Sequence, residues 1–400
     1  MGRLIIDNGK IILPDNILEG YAVVCDSGKI ARLPLSSELT LMDNDRVIDA
    51  HGKYISPGFI DIHTHGGGGY DFMDGTVEAY LGAARMHAKH GTTALLPTTL
   101  SATIEEMLTS FEVYREADKL NKTGAQFIGL HLEGPYFSLN QRGAQDPKYI
   151  RNPDPEEYKH VLDASDDIRR WSLAPELPGA LGFAKLLVSR GILPSIAHSD
   201  AVCEEVLEAY DAGFTHVTHL YSCMSSITRR NAYRFAGVVE AAYLIDGMSV
   251  EVIADGVHLP KPLLQLVYKF KGADRTALCT DSMRGAGMPD GEYILGSLEK
   301  GQTVVKEDEV AKLLDRSAFA GSVATTDKLV RTMVQVGEVP LVDAVKMMTL
   351  TPARIIGVNH RKGSIEQGKD ADLLIFDEEV RVSHTIIAGD VVYETDMKTK

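Results

Sequence analysis

Two hydrophobic patterns follow one another along the chain. In the first 55 residues, short apolar runs such as residues 4–6 are separated by turn-forming pairs such as Asn8-Gly9. Strand-length runs between turn signals are typical of β-hairpins. The same pattern returns near the carboxyl end, in residues 371–376, 385–387 and 391–393. Hairpin strands at both ends of the chain predict one small β-sandwich built from both termini.

The middle of the chain alternates strand-like apolar runs with segments of helical periodicity. Residues 76–90 place Val77, Tyr80 and Ala84 on one helical face, and Gly91 follows as a stop signal. Eight strand-like runs are spaced through this region, nearly all followed by a helical segment: residues 56–65, 92–97, 126–133, 171–176, 192–198, 216–219, 249–255 and 276–281. Eight such units predict an α/β fold of the (β/α)8 TIM-barrel type.

The alternative architecture is an open doubly wound sheet. It is disfavoured because no GxGxxG sequence opens a helix here. Two further helices are predicted near residues 322–336 and 340–350, after the eight units. We therefore predict two domains, a β-sandwich from residues 1–55 and 356–400 and a barrel from residues 56–355.

The charge balance and the cysteine content limit the classes of partner. The net charge of −15 does not favour binding to the phosphate backbone of nucleic acids. A small anionic substrate is not excluded, since it needs only one local cation. No apolar run approaches the roughly 18 residues of a membrane span, and the first residues lack the apolar core of a signal peptide. The four cysteines form no CxxC pair, so we expect a cytoplasmic protein with reduced thiols and neither a membrane nor a nucleic-acid partner.

The first chemical signal lies in residues 56–69, SPGFIDIHTHGGGG. His63 and His65 stand two positions apart at the end of an apolar strand, and residues i and i+2 of a strand point to the same face. Two neutral imidazoles side by side can bind a divalent metal such as zinc or iron. We interpret the four glycines that follow as room for a loop passing close to a ligand. Taken alone, the histidine pair is equally well explained as polar residues at a strand end.

Other predicted strands end in the same kinds of residue, namely Glu133, His198, His219 and Asp281. In a barrel, the carboxyl ends of the strands meet on one rim, where catalytic groups gather. Any one of these residues alone could be a capping polar group, but chance does not readily place all of them at strand ends. A carboxylate such as Glu133, between Leu132 and a Gly-Pro turn, is costly to bury unless it is paired or binds a metal. An aspartate beside a metal can hold a water molecule, take its proton and pass it to a leaving amine.

Several segments resemble a known family. They are HTH at 63–65, HLEGP at 131–135, AHSD at 197–200, THL at 218–220, IADGVH at 253–258 and TDSM at 280–283. These segments, spread along nearly the whole chain, are similar to those of the amidohydrolase superfamily and, within it, of the N-acetylglucosamine-6-phosphate deacetylases. The tail segments LTPAR at 350–354 and GSIEQGKDADL at 363–373 are similar to the superfamily at large. The resemblance implies a metallohydrolase barrel with a β-sandwich from both termini, in a homodimer.

The resemblance also implies roles for the matching positions. Glu133, His198 and His219 would hold a main metal, while His63 and His65, with Glu133 as a bridge, would hold a second. Some relatives lack the HxH pair and use one metal, so one and two divalent ions per chain both stay open. Asp281 would be the catalytic aspartate. The implied substrate-binding residues are Ala144, Gln145, Ser222, Cys223, Arg230, His258, Phe319, Ala320 and Gly321, with Arg230 gripping the sugar phosphate, often from the neighbouring subunit.

Three positions depart from the family pattern. Ser222-Cys223 stands where many relatives have Asn-Ala, Gln145 where some have histidine, and Arg229 where the family has glycine. An amide such as that of Gln145 donates a hydrogen bond to a substrate oxygen but cannot supply a proton as an acid. These changes bear on the exact sugar more than on the reaction.

The predicted function is metal-dependent hydrolysis of the acetamide of N-acetylglucosamine 6-phosphate, which gives glucosamine 6-phosphate and acetate in amino-sugar catabolism. One alternative is another amidohydrolase, acting on a different N-acetyl sugar or on a cyclic amide. A second alternative is a catalytically silent scaffold on the same fold. The presence of every metal-type position together with Asp281 argues against the scaffold.

Overall fold

The computed structural model describes residues 2–395. Within them, eight parallel strands form a nearly closed barrel, in which each strand pairs with the next along the chain. The strands are β1 Phe59–Thr64, β2 Thr92–Thr99, β3 Leu130–Glu133, β4 Ile168–Leu173, β5 Leu193–Ile196, β6 His216–Val217, β7 Ser249–Val252 and β8 Thr276–Leu278. Backbone hydrogen bonds from Asp281 N–H to His63 C=O (2.8 Å) and from His65 N–H to Ser282 C=O (2.9 Å) join the two ends. The predicted barrel is confirmed.

Ten α-helices lie within the described residues, and none of them is long and apolar enough to cross a membrane. They are α1 Val77–Lys89, α2 Ile104–Leu120, α3 Pro155–Ala164, α4 Ala180–Ser189, α5 Cys203–Asp211, α6 Val238–Leu244, α7 Lys261–Arg275, α8 Thr326–Gln335, α9 Leu341–Met348 and α10 Leu350–Ile355. Their ends follow local chemistry. Thr103 and Glu106 form a reciprocal capping box that starts α2.

Three of these helices, α3, α6 and α10, were not predicted. α6 and α10 span only seven and six residues, too few for a helical period to stand out. The start of α3 is marked in the sequence, because the Asp154 side chain caps the helix and Pro155 occupies its first turn. The sequence therefore contains a local signal for α3.

Two further sheets lie outside the barrel, and the larger one combines strands from both ends of the chain. One has four strands, in the order Lys29–Arg32, Val23–Asp26, Leu4–Asp7 and Arg46–Asp49. The other has six, in the order Asp390–Glu394, Val382–Ile387, Leu373–Phe376, Tyr54–Pro57, Lys10–Ile12 and Ile17–Leu18. Apolar side chains of both sheets, such as Ile6, Ile55 and Leu373, share one core. The predicted sandwich from both termini is therefore confirmed.

The boundary between sandwich and barrel differs from the predicted strand 56–65. Tyr54–Pro57 pairs with Leu373–Phe376 in the terminal sheet, and β1 begins only at Phe59. Between them lies Gly58, where a Cβ atom would stand 2.1 Å from Thr93 Oγ1, so the chain can pass only without a side chain. The prediction is wrong for the first residues of that strand. The proposed division of the chain into two domains stays a prediction, and its residues 1 and 396–400 lie outside the described part.

A three-stranded antiparallel sheet after β8 was also not predicted. It consists of Gly291–Leu295, Gln302–Glu307 and Val310–Leu313, and Leu295, Val304 and Ala311 contribute to a small core of its own. The remaining short elements are the strands Gly66–Gly67, Tyr70–Asp71, Gln126–Phe127, Thr228–Arg230 and Tyr233–Phe235 and the 3-10 helices Ser36–Glu38, Phe72–Asp74 and Leu139–Gln141. The inserted sheet lies against the carboxyl rim of the barrel, because Leu295 lines the cavity there.

Candidate active site

The carboxyl ends of the barrel strands bring six predicted side chains together. His63 is the next-to-last residue of β1, His65 directly follows β1, and Glu133 is the last residue of β3. The other three lie two or three residues beyond the ends of β5, β6 and β8, namely His198, His219 and Asp281. His198, His219 and Asp281 have positive φ angles of 47°, 28° and 47°. The chain turns sharply at these three positions as it leaves β5, β6 and β8, and such strained backbone is frequent at functional sites.

Glu133 lies at the centre of this group. Its Oε1 atom is 3.1 Å from His219 Nε2 and 3.4 Å from the Nε2 atoms of His63 and His198. Its Oε2 atom is 3.4 Å from His65 Nε2. The described residues include three buried groups that could hold a metal ion. Two of them, His63–His65–Glu133 and Glu133–His198–His219, overlap at Glu133, and the third is His63–Glu251–Cys279.

The donor atoms of these groups fit a divalent cation. His63 Nε2, which faces Glu133, is buried and has no hydrogen-bond partner within residues 2–395. Leaving a buried polar atom unpaired is costly, and a cation in contact with it removes that cost. Imidazole nitrogen and carboxylate oxygen are together the ligands of zinc and of non-haem iron sites.

The electrostatics of the cluster also favour a cation. Burial opposes the charged form of His65, but hydrogen bonds with Asp281 and Glu133 prevail and raise its pKa to about 10. Burial alone would raise the pKa of Glu133, yet the surrounding histidines, led by His63, hold it well below its ordinary value. Two buried carboxylates thus attract positive charge to the space between them, whether as protons or as metal ions.

Asp281 contacts both residues of the HxH pair. Its Oδ1 atom is 3.1 Å from His65 Nε2 and 3.5 Å from His63 Nε2. Burial tends to raise the pKa of Asp281, but the nearby His63 and the hydrogen bond with His65 lower it below its ordinary value. The side chain is therefore ionised at neutral pH, as a group that accepts a proton from water must be.

A cavity of about 340 Å³ opens above these side chains. Its lining includes most of the predicted site residues: His65, Glu133, Ala144, Gln145, His198, His219, Ser222, Cys223, His258, Asp281, Phe319 and Gly321. Four lining residues were not predicted, namely Leu100, Tyr221, Leu295 and Ala318. Leu100 directly follows β2, so the strand-end rule could have found it, whereas Leu295 and Ala318 belong to the unpredicted insertion.

Gln145 is held by protein on both sides of its amide. Its Oε1 atom accepts a hydrogen bond from Ser101 N–H (2.9 Å), and its Nε2 atom donates to Glu133 Oε2 (2.8 Å). The side chain is 6% exposed. Gln145 lines the cavity as expected, but its first contact is with Glu133, which it orients.

His258 is fixed by a buried carboxylate. Its Nδ1 atom is 2.7 Å from Asp255 Oδ2, and Asp255 Oδ1 accepts the backbone N–H groups of Val257 (2.9 Å) and His258 (2.8 Å). These bonds leave Nε2 as the remaining polar atom of the ring. Phe319 packs on the same ring, with a centroid distance of 4.7 Å.

Cys223 and Gly143 meet beside His198. A Cβ atom at Gly143 would lie 2.5 Å from Cys223 Sγ, so only glycine fits there at this distance. The contact of the Cys223 thiol is one of the influences that raise the pKa of His198, against the opposing effect of burial. The Ser222-Cys223 pair therefore shapes the wall next to a candidate metal ligand.

Three predicted residues do not line the cavity, and one of them is the fully buried His63. Arg230 is exposed on the hairpin of Thr228–Arg230 and Tyr233–Phe235, with its guanidinium 5.3 Å from the Phe235 ring. Ala320 is fully buried in the small core of the inserted sheet. Among the described residues, the cavity lining of one chain therefore lacks the expected phosphate arginine.

The glycine run after the HxH pair packs against protein rather than against the cavity. A Cβ atom at Gly66 would stand 2.1 Å from the carbonyl oxygen of Tyr70, and one at Gly67 would stand 1.9 Å from Met86 Cε. Neither glycine lines the cavity. The interpretation of this run as clearance for a ligand is therefore corrected, because the close neighbours are a hairpin and helix α1.

The barrel and its rim of histidines and carboxylates define a class of protein, the metal-dependent hydrolases. A family model described as "Amidohydrolase family" matches residues 54–392, and the chain belongs to this family. The chain is 34% identical to the N-acetylglucosamine-6-phosphate deacetylase of Lysinibacillus sphaericus, over 98% of either chain. It is 31% identical to an N-acetylgalactosamine-6-phosphate deacetylase of Escherichia coli O157:H7, over 86% of this chain and 89% of the relative.

A solved structure gives the same picture. The crystal structure of N-acetylglucosamine-6-phosphate deacetylase from Pasteurella multocida superposes with a TM-score of 0.90 at 31% identity, covering 97% of this chain and 99% of that one. The resemblance drawn from the sequence segments is therefore confirmed.

Proposed function

We propose that the protein hydrolyses the acetamide of N-acetylglucosamine 6-phosphate to glucosamine 6-phosphate and acetate. The observation that carries this proposal is the placement of Asp281. Its ionised carboxylate contacts both histidines of the HxH pair at the floor of a cavity of about 340 Å³. A base in that position can act on a water molecule next to an amide carbonyl.

The metal centre would be held by the two overlapping groups described above. Glu133, His198 and His219 would bind the main ion, and His63 and His65, with Glu133, would bind a second one. Zinc or iron suits this donor set, with one or two ions per chain. When bound, a divalent ion would lower the pKa of water and polarise the acetyl carbonyl.

The remaining chemistry falls to side chains of this chain. Asp281 would hold the attacking water, take its proton and deliver that proton to the departing sugar amine. Gln145 would keep the Glu133 carboxylate in place through its 2.8 Å hydrogen bond. His258, fixed at Nδ1 by Asp255, would present Nε2 to the sugar.

The phosphate would be bound by Arg230 of a neighbouring subunit in a homodimer. Arg230 is exposed and stands on a hairpin whose Ile227 and Tyr233 are 64% and 75% exposed. A projecting hairpin with exposed apolar and cationic side chains fits an interface with a second copy. Guanidinium pairs two phosphate oxygens at once, which suits an otherwise acidic protein.

An acetate-release assay tests the proposal. Purified protein would be given N-acetylglucosamine 6-phosphate, the galactosamine and mannosamine counterparts and the three unphosphorylated sugars. We expect the highest kcat/KM for N-acetylglucosamine 6-phosphate and weak activity without phosphate. No acetate release from any of them in a metal-loaded protein would contradict the proposal.

A second candidate substrate is N-acetylgalactosamine 6-phosphate. The relatives named for that activity match this chain at 31% identity, close to the 34% of the first group. The same assay separates the two, because the sugars differ only in the orientation of one hydroxyl group. A catalytically silent scaffold would release no acetate and would bind no divalent metal.

The proposed cytoplasmic location rests on the four cysteines, all of which are free.

A further inference from the structure

We propose that Glu251, locked by Arg170, is a positioning residue for His63. In this arrangement Glu251 holds the Nδ1 proton of the imidazole, so that Nε2 offers its lone pair to the space between Glu133 and Asp281. The inference rests on the proposed metal centre and goes beyond it. It assigns a role to two residues inside the barrel that no sequence motif marked.

Arg170 and Glu251 form an ion pair within the barrel interior. Arg170 lies on β4 and Glu251 on β7, and both side chains are 0% exposed. The guanidinium donates from Nη1 to Glu251 Oε2 at 2.6 Å and from Nη2 to Oε1 at 2.8 Å. This bidentate geometry fixes the plane of the carboxylate.

The guanidinium is itself held by three other groups. Arg170 donates to Ser195 Oγ (3.0 Å), Thr218 Oγ1 (2.6 Å) and the carbonyl of Ile62 (3.3 Å). The last of these bonds ties it to the residue just before His63. Glu251 can therefore not rotate without breaking several buried hydrogen bonds.

Glu251 then fixes the imidazole of His63. Its Oε1 atom is 2.8 Å from His63 Nδ1. A carboxylate is an acceptor only, so the proton of this bond sits on Nδ1 and the lone pair of the neutral ring on Nε2. His63 Nε2 lies 3.4 Å from Glu133 Oε1 and 3.5 Å from Asp281 Oδ1, and it has no hydrogen-bond partner within the described chain.

The same carboxylate reaches two other elements of the rim. Glu251 Oε2 is 3.4 Å from His216 Nε2 on β6, and Oε1 accepts from the backbone N–H of His219 at 3.4 Å. Metal-binding histidines commonly donate their second ring nitrogen to a carboxylate, and loss of that partner typically lowers metal affinity or activity by about 10- to 100-fold. The hydrogen bond from Glu251 to His63 Nδ1 is therefore not explained by packing of the buried ion pair alone.

The experiment measures metal binding directly. The double variant Arg170→Met/Glu251→Leu removes both charges, and apolar replacement of a whole buried pair is often tolerated by the fold. Glu251→Gln is the second variant, because its single amide oxygen cannot serve both the guanidinium and His63. Glu116→Gln, at an exposed position of α2, is the matched control. Circular dichroism checks folding, and chelator competition with Zn²⁺ alone gives the number of ions and their Kd values.

We expect each folded variant to bind one zinc ion about 10- to 100-fold more weakly than the parent protein. In a His63→Asn background, the Glu251 substitutions should cause no further loss, because they act through His63. Unchanged zinc binding in the folded variants, or an equal further loss in the His63→Asn background, would overturn the inference. A parent protein that binds no zinc, iron or other divalent ion would instead contradict the proposed function.

Discussion

At the level of single residues, the contacts of individual atoms distinguish the roles of the two carboxylates on the rim. Glu133 contacts four histidines through its two carboxylate oxygen atoms. The side-chain amide of Gln145 donates a further hydrogen bond to Oε2. Asp281 differs from Glu133, because its side-chain ion pairs within the described residues are with His63 and His65. The two carboxylates therefore have separable roles, one in holding metal and one in moving a proton.

Asp281→Asn should lower kcat by about 10²- to 10⁴-fold, the usual contribution of a general acid or base. An amide has nearly the same shape as the carboxylate but cannot accept the proton of water. Metal content and KM should change little. The measurement is steady-state acetate release together with elemental analysis. Asp290→Asn, at an exposed aspartate, is the control, and near-full activity of Asp281→Asn would remove this residue from the mechanism.

Glu133→Gln should abolish retention of metal after dialysis. Both candidate groups share Glu133, so one substitution weakens both. His63→Asn should cost less if only the main ion is essential. Elemental analysis of the dialysed variants checks this, with Glu116→Gln as the control. A Glu133→Gln protein that kept its full metal content would show that the proposed ligand set is wrong.

Gln145→Leu should reduce metal affinity or kcat by about 10- to 100-fold, because Glu133 loses the donor that orients it. Gln145→His keeps a nitrogen donor at the same position and should restore part of the loss. Zinc titration and acetate release on the two variants give the comparison. Equal behaviour of leucine and histidine would mean that the contact of the amide with Glu133 carries no function.

At the level of secondary-structure elements, strand ends and the loops that follow them have different roles. The barrel strands fix the metal-type side chains, whereas loops after β6 and β8 supply the cavity wall through Cys223 and Phe319. The hairpin of Thr228–Arg230 and Tyr233–Phe235 belongs to neither group. It projects from the chain with Arg230 exposed and outside the lining of its own cavity.

Arg230→Ala should raise KM for the phosphorylated sugar by about 10- to 100-fold, since a charge-assisted hydrogen bond contributes roughly 1.5–3 kcal/mol. The weak activity on the free sugar should stay nearly unchanged. Steady-state kinetics on both sugars measures the difference.

Arg229→Ala is the matched control on the same hairpin, because that arginine is exposed to a similar degree. A protein in which Arg229→Ala has the larger effect would transfer the phosphate role to Arg229. An equal loss of kcat/KM on both sugars would mean that the hairpin does not bind the phosphate.

Whole-molecule scale. One set of side chains of the six-stranded sheet, including Leu374 and Phe376, belongs to the same hydrophobic core as the barrel. Phe376 of the six-stranded sheet packs against Phe59 at the start of β1, with ring centroids 6.3 Å apart. The buried Lys362 links the same two parts, because its ammonium donates to Asp372 and to Gln126 Oε1 at 2.6 Å. The carboxyl-terminal part of the chain thus contacts β1, which carries the HxH pair, through Phe376.

Lys362→Met should lower the free energy of unfolding by about 3–5 kcal/mol, because it leaves Asp372 as a buried charge without its partner. Both side chains are nearly fully buried. Calorimetry should show a lower Tm in a single transition, since the shared core couples the two parts. Lys122→Met, at an exposed lysine, is the control, and two separate transitions would show that the sheets unfold independently.

The barrel, the sandwich and the six side chains of the rim could all be predicted from the order of residues along the chain. These features follow from local rules. Strand-like runs can be recognised from a few consecutive apolar residues. The carboxyl ends of barrel strands meet on one face, and His63, Glu133 and Asp281 each lie at such an end. The terminal hairpins could also be predicted, because turn-forming pairs separate their strands. None of these conclusions required knowing which distant residues touch.

Contacts between residues of different elements could not be predicted in this way. Gln145 meets Glu133, Glu251 meets His63 across 188 positions, and Leu295 closes the cavity from an insertion that lacks a barrel pattern. Charged residues inside buried strands, such as Arg170 and Glu251, are local signs of an interior network. Its partners depend on how eight strands are arranged around a common axis, and periodicity along the chain carries no information about that arrangement.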